Sequence, residues 1–213
     1  MCIIITGLRK DIKKDEIEKA MKRHPDGFGV MWYDNMENIV KTYRTLSKKM
    51  FLQYWYDIPP DSRVSFHSRW ATNGSIKTPN CHPWKSEKLN CAFMHNGVLS
   101  IKADGDTTDS ETWFRKFEKE NNVFQDVVDK KDDIGKEIKG SKFVFMNSDG
   151  SVTIVNESDG IWNADKTVWY SNNTIGTNTY THTTYYTGNQ HYNYGKYNRT
   201  TKSTGKNEFD DWY

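Results

Sequence analysis

The chain has 213 residues, which is enough for one large domain or two small ones. Lys and Arg number 30 against 28 Asp and Glu, and the formal net charge of +2 argues against a nucleic-acid partner held mainly by charge. Only 35% of the residues are hydrophobic and the mean hydropathy is -0.88, so we expect part of the chain to lie outside a packed core.

The first half of the chain alternates between strand and helix patterns. Residues 2–6 form a short apolar run rich in β-branched residues, which is typical of a buried strand. A helix is predicted over 15–23, where apolar residues recur at helical spacing. Strands follow over 29–34 and 39–45, and a helix over 47–56 ends before a pair of prolines.

The second half adds mainly strands, which are predicted over 63–68, 91–95, 142–146 and 151–156. The last two flank Asp149-Gly150, a strong hairpin signal. Asp109 or Ser110 can cap a helix whose aromatic residues share one face, Trp113, Phe114 and Phe117. Many strands with a few helices indicate the α+β class.

The composition changes near residue 171. From there onward the chain is rich in Thr, Asn and Tyr and has almost no aliphatic residues, which leaves little to bury. We therefore predict one domain over 2–170 and a polar tail over 171–213. The tyrosines of the tail could form an interaction surface. Together with Lys and Arg they could also bind single-stranded nucleic acid, but acidic residues near the end cancel most of that positive charge, so nucleic acid is disfavoured.

The cellular setting is indicated by three absences in the sequence. Three cysteines are too few for a disulfide scaffold, and the first residues lack the basic segment and long apolar run of a signal peptide. No stretch approaches the roughly 18 apolar residues of a membrane span. We expect a cytoplasmic protein in a reducing compartment without membrane contact.

Cys2 is the first of four places with residues that folding alone does not require. Removal of Met1 would leave a thiol and a free α-amine on one residue. In model compounds the pKa of an α-amine is about 8 and that of a thiol about 8.5. Because these values are close, the amine can take the thiol proton near neutral pH. The alternative is an ordinary buried cysteine near a terminus.

Three further segments carry polar groups at predicted strand or helix ends. Arg69 closes a strand, and its planar guanidinium suits a carboxylate, although an ion pair within the fold would explain it too. Asn96 and Gly97 could donate jointly to an oxyanion or could form a simple Asn-Gly turn. The segment 108–111, Thr-Asp-Ser-Glu, alone predicts only a helix N-cap.

Taken in order, these residues resemble the glutaminase domain of the class II glutamine amidotransferases, which are N-terminal nucleophile hydrolases. The sugar-aminating members show a second-position cysteine, His-x-Arg-Trp-Ala-Thr-x-Gly, Asn-x-His-Pro, His-Asn-Gly and an acidic motif like Thr-Asp-Ser-Glu. The counterparts in this chain are Cys2, 67–74, 80–83, 95–97 and 108–111. The resemblance covers about residues 2–170, although the Arg-Gly pair often found after the first helix is absent from 23–29.

The resemblance implies a four-layer αββα sandwich of antiparallel sheets and a role for each matching residue. Cys2 would attack the side-chain amide of glutamine, and Asn96 with the Gly97 N–H would stabilise the oxyanion. Arg69 would bind the α-carboxylate and Asp109 the α-ammonium. Trp70 and Thr72 match positions that line the pocket.

The resemblance implies no cofactor and no metal, and it makes glutamine the expected substrate. The polar tail is too poor in apolar residues to form a synthase domain, which leaves three options open. The chain works with a separate synthase subunit or acceptor-binding protein, releases ammonia as a plain glutaminase, or modifies an unknown acceptor. The identity of the ammonia acceptor is left open.

Three other interpretations remain open at this point. Structural zinc could be held by side chains that lie within fifteen positions, Cys81, His82, Cys91 and His95, although their spacing fits no familiar zinc motif. A non-catalytic interaction protein on the same fold would not need Cys2. An amidohydrolase could act on another γ-glutamyl compound.

Overall fold

The computed structural model describes residues 1–72, 74–103, 105–121 and 125–176. The predicted tail therefore lies outside the described residues except for its first six positions. Among the helices of these ranges, none is long and apolar enough to cross a membrane.

The first sheet contains six of the strands in these ranges. In chain order they are β1 (Ile3–Leu8), β2 (Phe28–Asp34), β3 (Ile39–Thr45), β4 (Arg63–Ser68), β9 (Ile161–Trp162) and β10 (Val168–Tyr170). Their spatial order is β3-β2-β4-β1-β10-β9, and every neighbouring pair is antiparallel. The central strand β1 is buried along almost its whole length, as its continuous apolar run predicts.

The second sheet has four strands in the order β5-β6-β7-β8. They are β5 (Trp84–Ser86), β6 (Cys91–Asn96), β7 (Lys142–Met146) and β8 (Val152–Val155), again antiparallel throughout. The predicted hairpin joins β7 and β8, and Gly150 at its turn has φ +81°, a value that favours glycine.

Helices cover the outer face of each sheet. The helices α1 (Lys14–Arg23) and α2 (Lys48–Asp57) pack on the first sheet, while α3 (Asp109–Glu120), α4 (Gln125–Asp129) and α5 (Lys131–Glu137) lie on the side of the second. The residue that caps α3 is Thr108, whose Oγ1 accepts the Glu111 N–H at 3.1 Å. The prediction of Asp109 or Ser110 as the cap was therefore wrong, because both residues already lie inside the helix.

Three apolar clusters show the layers. One joins the first sheet to α1 and α2, and a second joins the second sheet to α3, α4 and α5. The third lies between the sheets and includes Ile4 and Met31 from the first sheet and Met94 and Val144 from the second. The order is therefore helix, sheet, sheet, helix, and the predicted α+β sandwich is confirmed.

Candidate active site

The topology brings the predicted site residues to one end of the sandwich. Cys2 immediately precedes β1, and the pairing of Ile3 with Ser68 places Cys2 beside Arg69, which follows β4. From the other sheet, Asn96 ends β6 and is followed by Gly97, while Asp109 opens α3.

A cavity at this end collects most of the predicted residues. It is lined by Cys2, Arg69, Trp70, Thr72, His82, His95, Gly97, Thr108, Asp109 and Ser110. Six of the seven predicted site residues are thus brought together. The exception is Asn96, which is buried next to Gly97 and does not line the cavity.

The thiol of Cys2 lies against the main chain of Trp70. Its Sγ accepts the Trp70 N–H at 3.4 Å and lies 3.5 Å from the Trp70 carbonyl oxygen. Burial raises the pKa of the thiol, and the Trp70 N–H and the charge of Arg69 offset only part of that effect. A thiol with a raised pKa is protonated at neutral pH, so it needs a base to become a nucleophile.

Arg69 is only 3% exposed, and its guanidinium is oriented by a loop. Nη1 donates to the Ser75 carbonyl at 3.0 Å and Nη2 to the Gly74 carbonyl at 3.4 Å. Neutral carbonyls fix the direction of a guanidinium without cancelling its charge, so the group presents a positive charge to the cavity.

The segment after α1 supports the Arg69 main chain. The Asp26 N–H donates to the Arg69 carbonyl and the Arg69 N–H to the Gly27 carbonyl, at 3.0 and 2.8 Å. The Asp26 carboxylate also accepts the Ala71 N–H at 2.9 Å. This is the segment that lacks the Arg-Gly pair of the family, and in this chain it holds residues 69–71 in place.

Gly97 is fixed by a close approach to the chain before β7. It has φ +150°, and an added Cβ would overlap Ser141 Oγ and lie 2.7 Å from Ser141 Cβ. Only glycine fits here. Next to it, Asn96 Nδ2 lies 2.6 Å from Ser171 Oγ, while the buried Asn96 Oδ1 has no hydrogen-bond partner among the described residues.

The carboxylate of Asp109 is held by three donors. Oδ2 accepts the Leu99 N–H at 2.8 Å, and Oδ1 accepts the Ser110 N–H at 2.9 Å and the Ser110 hydroxyl at 3.2 Å. The first turn of a helix also favours a negative charge through the helix dipole. Asp109 therefore provides an oriented carboxylate in the same cavity as Arg69.

Two histidines, His82 and His95, line the cavity, and the ring of His67 packs against that of His82. His95 Nδ1 lies 2.7 Å from Ser110 Oγ, and because that hydroxyl donates to Asp109, the Nδ1 proton of neutral His95 points to Ser110. Burial lowers the pKa of His95 to about 4. Burial also lowers the pKa of His67 to about 3, and the positive charge of Arg69 adds to this effect. These imidazoles are therefore neutral at pH 7.

The residues proposed for zinc do not form a metal site. Within the described ranges no group of three or more His, Cys, Asp or Glu side chains is arranged to hold a metal ion. Cys91 packs in the apolar cluster beneath α3, where burial raises its pKa to about 12. It therefore behaves as a packing residue.

Sequence reasoning missed several residues that support this site. Ser171 and Asn172, assigned to the tail, contact Asn96 and the Cys2 carbonyl. Asp26 accepts the main-chain N–H of Ala71, and the Ser110 hydroxyl donates to the carboxylate of Asp109. No local pattern marks the first pair, whereas Ser110 lies inside a segment that the resemblance had already singled out.

The fold and the cavity at Cys2 agree with the resemblance found in the sequence. Two antiparallel sheets between helix layers, with six of the seven predicted residues at one end, are the arrangement expected of a class II glutamine amidotransferase domain, and the predicted resemblance is confirmed.

Comparison with known proteins agrees with that class. A stretch of 40 residues, 19% of this chain, is 42% identical to glutamine–fructose-6-phosphate aminotransferase of Chlamydia caviae. Over 104 residues, 46% of the chain, it is 28% identical to the enzyme of that name from Aquifex aeolicus. The matches span only 7% and 17% of those relatives. No protein-family model matches the chain.

A solved structure shows the same fold. Glutamine phosphoribosylpyrophosphate amidotransferase from B. subtilis superposes with a TM-score of 0.55 over 82% of this chain and 42% of its own, at 14% identity. At this identity the likeness concerns the fold alone.

Proposed function

We propose that this domain hydrolyses the side-chain amide of glutamine to glutamate and ammonia, with Cys2 as the nucleophile. The observation that carries the proposal is the cavity itself, because a thiol, an oriented cation and an oriented anion line one small space. A free amino acid presents one group of each sign, so Arg69 would bind its α-carboxylate and Asp109 its α-ammonium. Holding both groups fixes which atom reaches the thiol.

The proposed chemistry begins with removal of Met1, which is 59% exposed. The α-amine of Cys2 would take the thiol proton as Sγ bonds to the amide carbon. Asn96 and the Gly97 N–H would stabilise the oxyanion, an effect of about 3 to 4 kcal/mol per donor. Collapse breaks the carbon–nitrogen bond, and the amine passes the proton to the departing ammonia. Water then cleaves the γ-glutamyl thioester, which gives glutamate and restores the thiol.

The remaining cavity residues would shape the glutamyl side of the pocket. Trp70 is 38% exposed at the mouth, and Thr72 lies beside it in the lining. No residue described here binds an ammonia acceptor in this scheme. We propose that a separate synthase subunit or an acceptor-binding protein receives the ammonia.

The direct test combines intact mass with glutamate release. The purified protein is expected to lack the mass of one methionine and to release glutamate from glutamine. Cys2→Ala is expected to lower the rate by roughly 10⁴-fold or more, because it removes the atom that forms the covalent bond. A diazoketone analogue of glutamine should label Cys2 alone.

Cys91→Ala is the matched control, since it also removes a thiol but one that is buried in the apolar cluster under α3. It should retain activity. Activity with Met1 still attached would exclude the α-amine as the base. A protein without Met1 that neither forms glutamate nor reacts with the analogue would favour a non-catalytic interaction protein on this fold.

A further inference from the structure

Ser171 lies at the junction between the strand that carries Cys2 and the rest of the site. It follows directly after β10 and is fully buried. Its main-chain N–H donates to the Ile4 carbonyl at 2.9 Å, and its Oγ accepts the Ile4 N–H at 2.8 Å. Both polar main-chain groups of Ile4, two residues after Cys2, are therefore bound to this one serine.

The same hydroxyl reaches the other sheet. Ser171 Oγ lies 2.6 Å from Asn96 Nδ2, and the Asn96 side chain is buried. One oxygen atom thus links β1 of the first sheet to the end of β6 in the second. The next residue extends the link, because Asn172 Nδ2 donates to the Cys2 carbonyl at 2.8 Å.

The hydrogen-bonding capacity of the two side chains defines how they work together. A serine hydroxyl can accept two hydrogen bonds and donate one, so if both Ile4 N–H and Asn96 Nδ2 donate to it, its own hydrogen is not used in these contacts. A carboxamide can present either its oxygen or its nitrogen. With Oδ1 turned to Ser171, the hydroxyl donates to Asn96, and Nδ2 takes the buried place where Oδ1 now has no partner among the described residues.

We propose that Ser171 is a positioning residue for the reaction: its hydroxyl, fixed by Ile4, donates to Asn96 Oδ1 and directs the Nδ2 N–H towards the oxyanion. This inference rests on the proposed function. It assigns to the start of the predicted tail a part in catalysis, because Ser171 holds the oxyanion donor in register with the strand of the nucleophile. Ser171 itself does not touch the substrate.

The test is a double-mutant cycle on glutamine hydrolysis by the full chain. Ser171→Ala is expected to lower kcat by about 10- to 100-fold with KM for glutamine changed less than about twofold, because only transition-state stabilisation is lost. Asn96→Ala should lower kcat by about 10²- to 10³-fold. The double variant should be no slower than Asn96→Ala, since Ser171 acts through Asn96.

Two further variants separate positioning from folding. Ser171→Cys keeps nearly the same side-chain size but has only a weak S–H donor, and it should show the same loss of kcat in a folded protein. Ser65→Ala is the matched control, because it removes a fully buried hydroxyl that bonds Thr6 of β1 at 2.8 Å and lies outside the cavity. It should keep kcat.

The outcomes distinguish the two proposals. Glutamate release by the unaltered protein with an unchanged kcat in Ser171→Ala would overturn the role of Ser171 alone. Losses that multiply in the double variant would also overturn it, because independent effects multiply. Absence of glutamate release and of Cys2 labelling in the unaltered protein would instead overturn the proposed function, and this inference with it.

Discussion

The two sheets contribute to the cavity in physically different ways. The first-sheet side consists of Cys2, Arg69, Trp70 and Thr72. It is held by hydrogen bonds to loop main chain, and although Arg69 is buried, Trp70 remains 38% exposed. The second-sheet side, Asn96, Gly97 and Asp109, is confined by close contacts, and Asn96 and Asp109 are at most 6% exposed. A loop can give way when a side chain changes, whereas a confined group cannot.

Because of this difference, substitutions on the two sides should affect glutamine binding and the stability of the fold to different extents. On the first-sheet side, a substitution should weaken contact with glutamine while the domain stays folded. On the second-sheet side, activity and the free energy of unfolding should fall together, because Gly97 is packed against Ser141 and Asn96 is buried.

The largest effect is expected at Gly97. Gly97→Ala would force a left-handed backbone, which costs about 1–2 kcal/mol. It would also drive the new Cβ into Ser141, which adds about 1–3 kcal/mol of overpacking. We expect the free energy of unfolding to fall by about 3 kcal/mol and glutaminase activity to be lost, as measured by urea denaturation and glutamate release.

Gly140→Ala is the control for that experiment. Gly140 also has a left-handed φ, +77°, but no atom lies within 4 Å of an added Cβ. The free energy of unfolding of Gly140→Ala should fall only by the backbone cost of about 1–2 kcal/mol, and this variant should keep its activity. If the two variants were equally stable, the second-sheet side would not be confined by packing.

A smaller effect, on binding, is expected on the first-sheet side. Arg69→Ala should raise KM for glutamine by roughly 10- to 100-fold, because a hydrogen bond to a charged group is worth about 1.5–3 kcal/mol. The value of kcat should change only a few-fold. Steady-state kinetics with glutamine measure both.

Arg44 provides the matched control for Arg69. Its Nη1 also donates to main-chain carbonyls, those of Pro79 and Cys81 at 3.1 and 3.2 Å, but Arg44 does not line the cavity. Arg44→Ala should leave KM unchanged. An equal rise of KM in both variants would mean that Arg69 supports the loops and does not bind substrate.

The parts of this site that sequence could predict are those with a local signal. The apolar run of β1 places Cys2 at the end of a central strand, and the Asp149-Gly150 turn predicts the β7–β8 hairpin. In both cases neighbouring residues contain the information. The resemblance to the family then assigns roles to residues such as Arg69 and Asp109 that patterning alone leaves open.

The parts that could not be predicted depend on contacts between distant residues. Ser171 lies 75 positions from Asn96 and 167 from Ile4, and it follows a three-residue strand, β10, that has no strong alternation. Its neighbourhood is polar, so composition favoured a tail. Likewise, nothing in the segment 24–27 shows that Asp26 bonds the main chain of Ala71, because that contact exists only after β4 pairs with β1 and β2.

The two sides meet at a layer of buried histidines, which should make stability depend on pH. The ring centroid of His82 lies 4.1 Å from that of His67 and 6.4 Å from that of His95. Burial lowers the pKa of all three, His67 to about 3 and His95 to about 4. Arg69 adds to the effect at His67 and His82, and Lys142 adds at His95, where Asp109 opposes it.

The direction in which stability changes with pH follows from the number of protons bound by the folded and unfolded chains. An unfolded histidine has a pKa of about 6.5, so between about pH 6.5 and 4 the unfolded chain binds more protons and the free energy of unfolding falls as the pH is lowered. Each histidine contributes up to about 1.4 kcal/mol per pH unit. The carboxylates with lowered pKa, such as Asp34 and Asp106, begin to lose their contribution from about pH 5 downward, so the effect of the histidines is best measured between about pH 6.5 and 5.

Urea denaturation across this range should therefore show stability falling with acid, and His67→Phe should flatten the slope by removing one titrating ring while keeping an aromatic side chain. The slope, unlike the absolute stability, does not depend on how well phenylalanine packs against His82. An unchanged slope in His67→Phe would mean that His67 is not held neutral, and that the junction between the two sides is open to water.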